Sequence, residues 1–255
     1  MSRRGARVSP AWVRRRLLAW YDTNARRFVW RRRRASPWLV LVSEFLLRKT
    51  GARKVDPIVR ELIRLAPSPE ALLRVPSRRI GSLIHPLGLQ NMRARALRQI
   101  AGTLVAEHGG RVPRDAEALA ALPHVGRYMV NSVLTVGFGE PRPIVDANVM
   151  RLLHRVHGVR EVVEIHRADN LWDLAGRHLP KGDVESAKRL NWALVDFGAL
   201  VCTARAPRCP ICPLRERCPA ARGRRTVSGR RSSVPTQLPL SMRKNDPKHR
   251  SGGGR

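Results

Sequence analysis

The most restrictive feature of this sequence is a group of cysteines near its C-terminal end. All four cysteines of the chain, Cys202, Cys209, Cys212 and Cys218, follow an apolar helical pattern in the spacing C-x6-C-x2-C-x5-C. Four thiols in one short loop of a cytosolic protein suit a metal better than disulfides. From the spacing alone, a tetrahedral zinc site is favoured over an iron–sulfur cluster, because the first gap matches neither of the common ferredoxin spacings.

The balance of charges indicates a polyanionic partner. The chain has 50 Lys and Arg against 19 Asp and Glu, a formal charge of +31 that would repel itself strongly without a polyanion. Nucleic acid is the leading candidate. An anionic membrane is the rival, but the most apolar run, residues 38–47, contains Ser43 and Glu44 and is too short to span a bilayer. The Arg-rich N-terminus lacks the apolar stretch of a secretory signal. We expect a cytoplasmic, nucleoid-associated monomer with no membrane contact.

The periodicity of apolar residues predicts an all-α fold. Turn residues separate helical patterns, and no run of alternating β-branched residues occurs. A hydrophobic fraction of 43% over 255 residues is enough for a real core. The predicted helices cover residues 11–24, 38–50, 55–65, 69–74, 77–84, 92–108, 116–121, 127–138, 146–157, 166–179 and 184–201. From Pro219 onward this pattern stops, and Arg, Ser, Gly and Pro dominate a tail that we expect to be disordered.

A tight turn lies between two of the predicted helices. It consists of Leu122, Pro123, His124, Val125, Gly126 and Arg127. Such a turn leaves the first N–H groups of the next helix unpaired, and these groups bind phosphate without contacting a base. An ordinary helix–helix turn is the alternative. Further along, Val145-Asp146-Ala147-Asn148 opens another helix, at which Asp146 is either an N-cap or a functional acid.

The turn followed by Val145-Asp146-Ala147-Asn148 resembles the signature of the helix-hairpin-helix DNA glycosylases, in the endonuclease III and adenine glycosylase branch. The resemblance extends from Leu17 to Cys218, and it is carried by Trp20-Tyr21-Asp22, Trp30, residues 42–50, Leu87-Gly88-Leu89, residues 93–97 and residues 109–114. Within this branch the chain is most similar to the archaeal-type mismatch thymine glycosylases, because Tyr128 stands where endonuclease III has its catalytic lysine. The family usually has glycine at His124, but histidine tolerates a positive φ, so we expect the hairpin to form.

The resemblance implies two helical domains and a cofactor. A six-helix domain with the helix-hairpin-helix covers residues 30–140, and an iron–sulfur domain combines residues 1–29 with residues 141–222, leaving residues 223–255 as the basic tail. The cysteine run resembles the [4Fe–4S] loop of this branch, and this reverses the preference for zinc. In this interpretation the cluster holds a basic loop in shape, and no redox chemistry is required.

The resemblance also implies catalytic roles. Asp146 is the carboxylate that stabilises positive charge on the sugar and orients water. Glu44 lies among apolar residues, where burial favours a raised pKa and a role as acid or hydrogen-bond donor to the leaving base. The alternative for Glu44 is an exposed residue on an amphipathic helix. Tyr128 faces the flipped base or the sugar, and its alternative is a packed aromatic residue.

Further residues are expected to contact DNA. Leu89 resembles the wedge that fills the gap left by an extruded nucleotide, and Lys49 and Gln90 would touch the orphaned partner base. Phosphate contacts are assigned to His124, Val125, Gly126 and Arg127 of the hairpin, and to Arg205 and Arg208 of the cysteine loop. His154 and His157 have no metal-ligand spacing with an acid and are interpreted as surface or packing residues.

Three functions compete. The first is a monofunctional glycosylase that removes thymine or uracil opposite guanine, favoured by Tyr128. The second is an adenine glycosylase acting opposite guanine or 8-oxoguanine, favoured by Glu44, although such enzymes usually add a folded C-terminal domain. The third is a cluster-containing DNA-binding protein without catalysis, and retention of Asp146 and Glu44 argues against it. In the tail, Gln237, Leu238, Pro239 and Leu240 resemble the peptide that bacterial repair proteins insert into the sliding clamp; an idle linker is the alternative.

Overall fold

The structure is a computed structural model, and it describes residues 8–159 and 169–222. The chain divides into a unit Met1–Arg224 and a unit Arg225–Arg255. The predicted disordered tail and its clamp-like peptide, Gln237 to Leu240, lie outside the described residues.

The prediction of an all-α fold is confirmed for the described residues, which contain helices and no strand. The helices are α1 (Pro10–Asn24), α2 (Pro37–Leu47), α3 (Ala52–Leu65), α4 (Pro69–Arg74), α5 (Ser77–Ile84), α6 (Gln90–His108), α7 (Ala116–Ala121), α8 (Arg127–Ser132), α9 (Ala147–His157), α10 (Asp169–His178), α11 (Val184–Leu200) and α12 (Pro219–Arg222). Short 3-10 turns lie at Val29–Arg31, His85–Leu87 and Cys209–Ile211. In this part of the chain, none of the helices has the length and apolar character needed to cross a bilayer.

The end of α2 differs from the prediction. We expected this helix to reach residue 50, but it ends at Leu47, and Lys49 adopts a left-handed φ of 56°. The guanidinium of Arg93 explains the early end. It donates hydrogen bonds of 2.7 Å to the carbonyl of Leu46 and 3.0 Å to that of Arg48, and so satisfies carbonyls that a longer helix would pair internally.

Two other helix predictions were wrong in part. The pattern over residues 127–138 predicted one α-helix, but α8 ends at Ser132 and continues as a π-helical turn, Val133–Gly137. Such wider turns are rare and occur often at functional sites. The helical pattern was also expected to stop at Pro219, where the structure places α12. That short helix is explained by its proline at the first position, where the missing N–H costs nothing.

Two clusters of buried apolar residues form the interior of the unit Met1–Arg224. The first joins helices α2 to α8 and includes Leu41, Leu46, Val55, Leu62, Ile80, Leu97, Leu104 and Val133. The second joins α1, α9, α10 and α11 and includes Leu17, Leu152, Trp172, Leu194 and Phe197. Each fully buried leucine contributes roughly 2 kcal/mol to folding. Tyr128 and Trp192 pack against both clusters, which places these two side chains where the two cores meet. The predicted domain boundaries stay predictions.

The approach of α9 to α11 depends on a glycine. A Cβ atom on Gly198 of α11 would lie 2.7 Å from the carbonyl oxygen of Asn148 in the first turn of α9. No side chain fits at this distance. The small residue therefore sets the position of the helix end that carries Asp146.

Candidate active site

Asp146 is the N-cap of α9, which was one of the two roles expected for it from the sequence. Its Oδ1 accepts hydrogen bonds from the backbone N–H groups of Asn148 at 2.9 Å and Val149 at 2.8 Å. Its Oδ2 accepts a third bond of 2.7 Å from the side-chain amide of Asn148. Three donors therefore fix the orientation of a half-buried carboxylate at the start of a helix, where the dipole also favours a negative charge.

Glu44 lies in α2 with only 7% of its surface exposed, so its alternative as an exposed residue is wrong. Its Oε1 accepts a hydrogen bond of 2.6 Å from Oγ of Ser132. Its Oε2 is buried and has no hydrogen-bond partner among the described residues. Burial raises the pKa of Glu44, and the bond from Ser132 and the charge of Arg31 oppose this rise only in part.

Tyr128 lies beside both acids. It is the second residue of α8, the helix that Gly126 caps, and its phenol interacts electrostatically with the carboxyl groups of Glu44 and Asp146. Burial raises the pKa of Tyr128 well above its ordinary value, and the negative charges of Glu44 and Asp146 act in the same direction. The phenol therefore keeps its proton at neutral pH. The fold thus brings Glu44, Tyr128 and Asp146 into one electrostatically coupled group, although they come from three different helices.

A buried ion-pair network beside this group was not found from the sequence. Asp196 of α11 is fully buried and accepts hydrogen bonds from Arg31 at 2.8 Å and from Arg26 at 2.9 Å. Burial alone would raise the pKa of Asp196, but the two guanidinium groups outweigh it and hold that pKa below its usual range. The guanidinium of Arg31 also lies 5.2 Å from the ring centre of Phe28, and its Nε has no partner among the described residues.

The orienting contacts of Asp146 continue to the cysteine loop. Oδ1 of Asn148 accepts a bond of 2.9 Å from Nη2 of Arg151. The Nε of Arg151 donates 2.9 Å to the carbonyl of Cys202, and its Nη2 donates 2.7 Å to that of Gly198. The sequence motif contains Asn148, but nothing in the sequence indicated a role for Arg151.

Three residues predicted to contact DNA share an unusual backbone conformation. Among the described residues, the ones other than glycine with positive φ are Lys49 at 56°, Leu89 at 54° and His124 at 65°. All three are exposed, and the expectation that His124 accommodates a positive φ is confirmed. Such strain is often found at binding sites. The side chain of Leu89 is 61% exposed, and that of Met92, one turn later, is 60% exposed.

The other hairpin residues differ in their accessibility. Gly126 is exposed and forms the N-cap of α8 without a capping side chain, whereas Val125 is buried. Gln90 is half-buried at the start of α6. Arg127 is exposed but already engaged, because it pairs with Asp169 at 2.5 Å and its guanidinium lies 4.5 Å from the ring centre of Trp172.

A basic cavity of about 590 Å³ opens next to these loops. Its cationic lining residues are Arg26, Lys49, Arg53 and Lys54, and its apolar lining includes Leu87 and Leu200. Lys49 is the one member of the predicted site that borders it. A cavity with positive charges at its walls attracts a phosphate backbone.

The four cysteines border a second cavity. Cys202, Cys209, Cys212 and Cys218 line it together with Leu152, Val156 and Phe197, and all four are free thiols. In the described part of the chain, no three His, Cys, Asp or Glu side chains are close enough together to hold a single metal ion. Burial, followed by the neighbouring thiols, raises the pKa of Cys212 to about 11. Arg205 and Arg208 are exposed on the same loop.

The chain has clear relatives. Residues 42–175 match the family described as HhH-GPD superfamily base excision DNA repair protein. The thymine-DNA glycosylase of Aeropyrum pernix is 40% identical over 81% of this chain and 92% of its own length. The thymine/uracil-DNA glycosylase of Pyrobaculum aerophilum is 37% identical over 78% of this chain and 86% of its own length.

A solved structure, described as that of a thermostable thymine-DNA glycosylase, superposes with a TM-score of 0.78 at 32% identity. The superposition covers 84% of this chain and 97% of the other. Adenine DNA glycosylases are also similar. That of Mycobacterium tuberculosis is 37% identical over 78% of this chain, but the match covers only 64% of the adenine glycosylase.

Proposed function

Because the chain belongs to the HhH-GPD superfamily of base excision DNA repair proteins, we propose that it is a monofunctional glycosylase for thymine or uracil mispaired with guanine. The broader activity, that of a DNA glycosylase acting on DNA, follows from the family and from relatives at 40% and 37% identity. The observation that carries the proposal is the convergence of Glu44, Tyr128 and Asp146 beside one another.

Asp146 is assigned to the sugar. Breaking the bond between C1′ and the base nitrogen moves the electron pair onto the base and builds positive charge on the sugar. A carboxylate whose orientation is already fixed stabilises that charge without reorganising. Water then bonds to C1′ through its oxygen, and Asp146 accepts the proton that the water loses.

Glu44 is assigned to the leaving base. Its raised pKa favours the protonated form, which donates a hydrogen bond to the flipped base and passes its proton as the base departs. Tyr128 retains its phenolic proton and cannot form an imine with the sugar. The products are the free base and an abasic site in an intact strand.

The DNA-binding surface in this proposal combines three exposed loops with the basic cavity. Leu89 enters the duplex in place of the flipped nucleotide, Lys49 and Gln90 lie toward the partner base, and the hairpin of His124 to Arg127 contacts phosphates. To bind a phosphate, Arg127 has to give up its ion pair with Asp169. Arg205 and Arg208 supply further charge from the cysteine loop. The protein acts as a monomer in this proposal.

A [4Fe–4S] cluster held by Cys202, Cys209, Cys212 and Cys218 is part of the proposal. The four thiols line one cavity, and thiolates are the ligands that both zinc and iron–sulfur clusters take, so the choice of a cluster rests on the resemblance of the cysteine spacing. A soft, multi-atom cluster suits such a donor set. When bound, it serves as a structural cross-link for the basic loop, and no step of base release passes through it.

A single-turnover assay on matched duplexes tests the function. Duplexes containing T·G and U·G should release the base, with strand breaks appearing only after hot alkali. Release from A·G or A·8-oxoguanine alone would favour the adenine glycosylase. No release from any duplex would favour the third alternative, a DNA-binding protein without catalytic activity. Asp146→Asn is the matched variant, because it keeps the side-chain size and removes the charge. It should abolish release and leave DNA binding largely intact.

Association with the sliding clamp through Leu238 and Leu240 is a separate part of the proposal. A pull-down with purified clamp should recover the wild-type chain and lose the Leu238→Ala, Leu240→Ala double variant. Equal recovery of both would assign these residues to a linker.

A further inference from the structure

The two oxygens of the Glu44 carboxyl have different surroundings. Oε1 accepts a short bond from Ser132, while Oε2 is buried without a partner among the described residues. A buried polar atom left unpaired costs free energy, commonly about 1–3 kcal/mol. Such an atom in an otherwise well-packed helix bundle indicates that something else pairs with it during function.

Ser132 owes its position to the fold. It is the last residue of α8, immediately before the π-helical turn, and only 1% of its surface is exposed. It belongs to none of the motifs that point to DNA chemistry, and its partner lies 88 residues away in α2. The hydroxyl donates a hydrogen bond to Oε1, so Oε1 serves as the acceptor of the carboxyl group.

From this geometry we infer that Ser132 is a positioning residue that turns Oε2 of Glu44 toward the flipped base. The inference rests on the proposed function and explains how its acid, Glu44, is oriented. With Oε1 occupied as an acceptor, the proton of the neutral carboxyl resides on Oε2. That atom then donates to a ring nitrogen or carbonyl oxygen of the base, which supplies the missing partner.

The test compares Ser132→Ala with a matched control, Thr135→Val. Thr135 has a fully buried hydroxyl in the next turn, but among the described residues this hydroxyl bonds only to the backbone of Arg142, at 3.1 Å and 3.0 Å. Each variant loses one buried hydroxyl, so both should unfold at a lower temperature than the wild type. Only Ser132→Ala should change the chemistry.

The expected result is a slower single-turnover rate for Ser132→Ala, by about 10- to 100-fold, at an unchanged dissociation constant for DNA, since a small misplacement of a reacting group has this order of effect. The bond from Ser132 also opposes the rise in the pKa of Glu44. Losing the bond raises that pKa further, so the alkaline limb of the pH–rate profile should move to higher pH. Thr135→Val should keep the wild-type limb.

Two further variants make the assignment specific. Ser132→Thr keeps a hydroxyl and should restore the wild-type limb, even if its extra methyl group lowers the melting temperature. In a Glu44→Gln background, adding Ser132→Ala should change the rate much less than it does in the wild type, because the group that it positions is gone.

The outcomes separate the two levels of the proposal. If the wild type releases no base from any duplex, the proposed function fails. If the wild type is active and Ser132→Ala matches it in rate and pH profile, the positioning role is wrong. A slower Ser132→Thr with the same shifted limb as Ser132→Ala would equally overturn it.

Discussion

The side-chain amide of Asn148 donates a hydrogen bond of 2.7 Å to Oδ2 of Asp146. The carbonyl of the same side chain accepts from Arg151, which also holds the carbonyl of Cys202. The candidate catalytic acid and the first cysteine of the loop are thus joined through two side chains. We therefore expect the orientation of the acid to depend in part on the folding of the cysteine loop.

Arg151→Gln tests this dependence, and Arg155→Gln is its control. Arg155 also fastens the cysteine loop, through the carbonyls of Thr203 at 2.7 Å and Ala204 at 2.8 Å and through Sγ of Cys202 at 3.5 Å, but among the described residues no hydrogen bond joins it to Asn148. We expect Arg151→Gln to slow base release about 10- to 100-fold with little change in DNA affinity. Arg155→Gln should have a smaller effect on the rate. If both variants slow base release equally in single-turnover assays, the effect comes from the cysteine loop and not from the contact between Arg151 and Asn148.

Gly198→Ala should displace the first turn of α9, because its Cβ would come within 2.7 Å of the carbonyl oxygen of Asn148. Overpacking of this kind costs about 1–3 kcal/mol, and it should also slow base release by moving Asp146. Gly102→Ala, in the middle of α6, is the control. Nothing lies within 4 Å of its added Cβ, so this change should stabilise the helix by roughly 0.5–1 kcal/mol. Melting temperatures and base-release rates of both variants test this prediction.

Because Tyr128 stands where a lyase would need an amine, we expect base release to leave the strand intact. A lyase needs an amine close to C1′, and a phenol cannot form an imine. Borohydride should therefore trap no covalent complex of the wild type with a T·G duplex. Tyr128→Lys should give some trapped complex, provided that burial lowers the pKa of the new amine. Efficient trapping of the unaltered protein would assign the nucleophile to another residue.

The cysteine loop predicts a coloured protein. Material purified without oxygen should be yellow-brown and contain iron and sulfide, and replacing Cys209 by Ser should reduce both. Because the loop presents Arg205 and Arg208, the same variant should bind DNA more weakly and lose affinity less steeply with salt. Stoichiometric zinc in anaerobically prepared protein would show that the loop is a zinc site.

A pair of histidines, one fully buried and one half-buried, predicts loss of stability in acid. The Nε2 atoms of His157 and His178 are 3.0 Å apart, and His178 is fully buried. Burial, followed by the charge of His178, lowers the pKa of His157 from 6.5 to about 4. The unfolded chain therefore binds a proton that the folded one does not, and the free energy of unfolding falls as the pH drops from 6.5 towards 4.

Urea unfolding at several pH values measures this loss. The free energy of unfolding of the wild type should fall by roughly 1–2 kcal/mol across that range from this residue, because solvent screens part of the effect at a half-buried ring. His157→Gln, which cannot titrate, should have a flatter profile between the same pH values. His85→Gln, at an exposed position, should keep the wild-type slope. A wild-type slope in His157→Gln would place the acid sensitivity elsewhere.

Features that depend on near neighbours in the chain could be predicted from the sequence. Helices α4, α5 and α7 begin and end at the predicted residues, because caps and apolar periodicity act over a few positions. The N-cap at Asp146 and the left-handed turn at His124 were local in the same way. The resemblance also indicated Glu44 and Tyr128, and their catalytic roles stay predictions.

The contacts between distant side chains could not be predicted, because they depend on how the helices pack in three dimensions. Asp196 binds Arg26 across 170 positions of the chain, and Ser132 reaches Glu44 across 88. The end of α2 was predicted too late because Arg93, 47 positions away from Leu46, takes over its last carbonyls. A buried polar group must find its partner wherever packing brings one, so these contacts follow from how α2, α6, α8 and α11 pack and leave no periodic trace in the sequence.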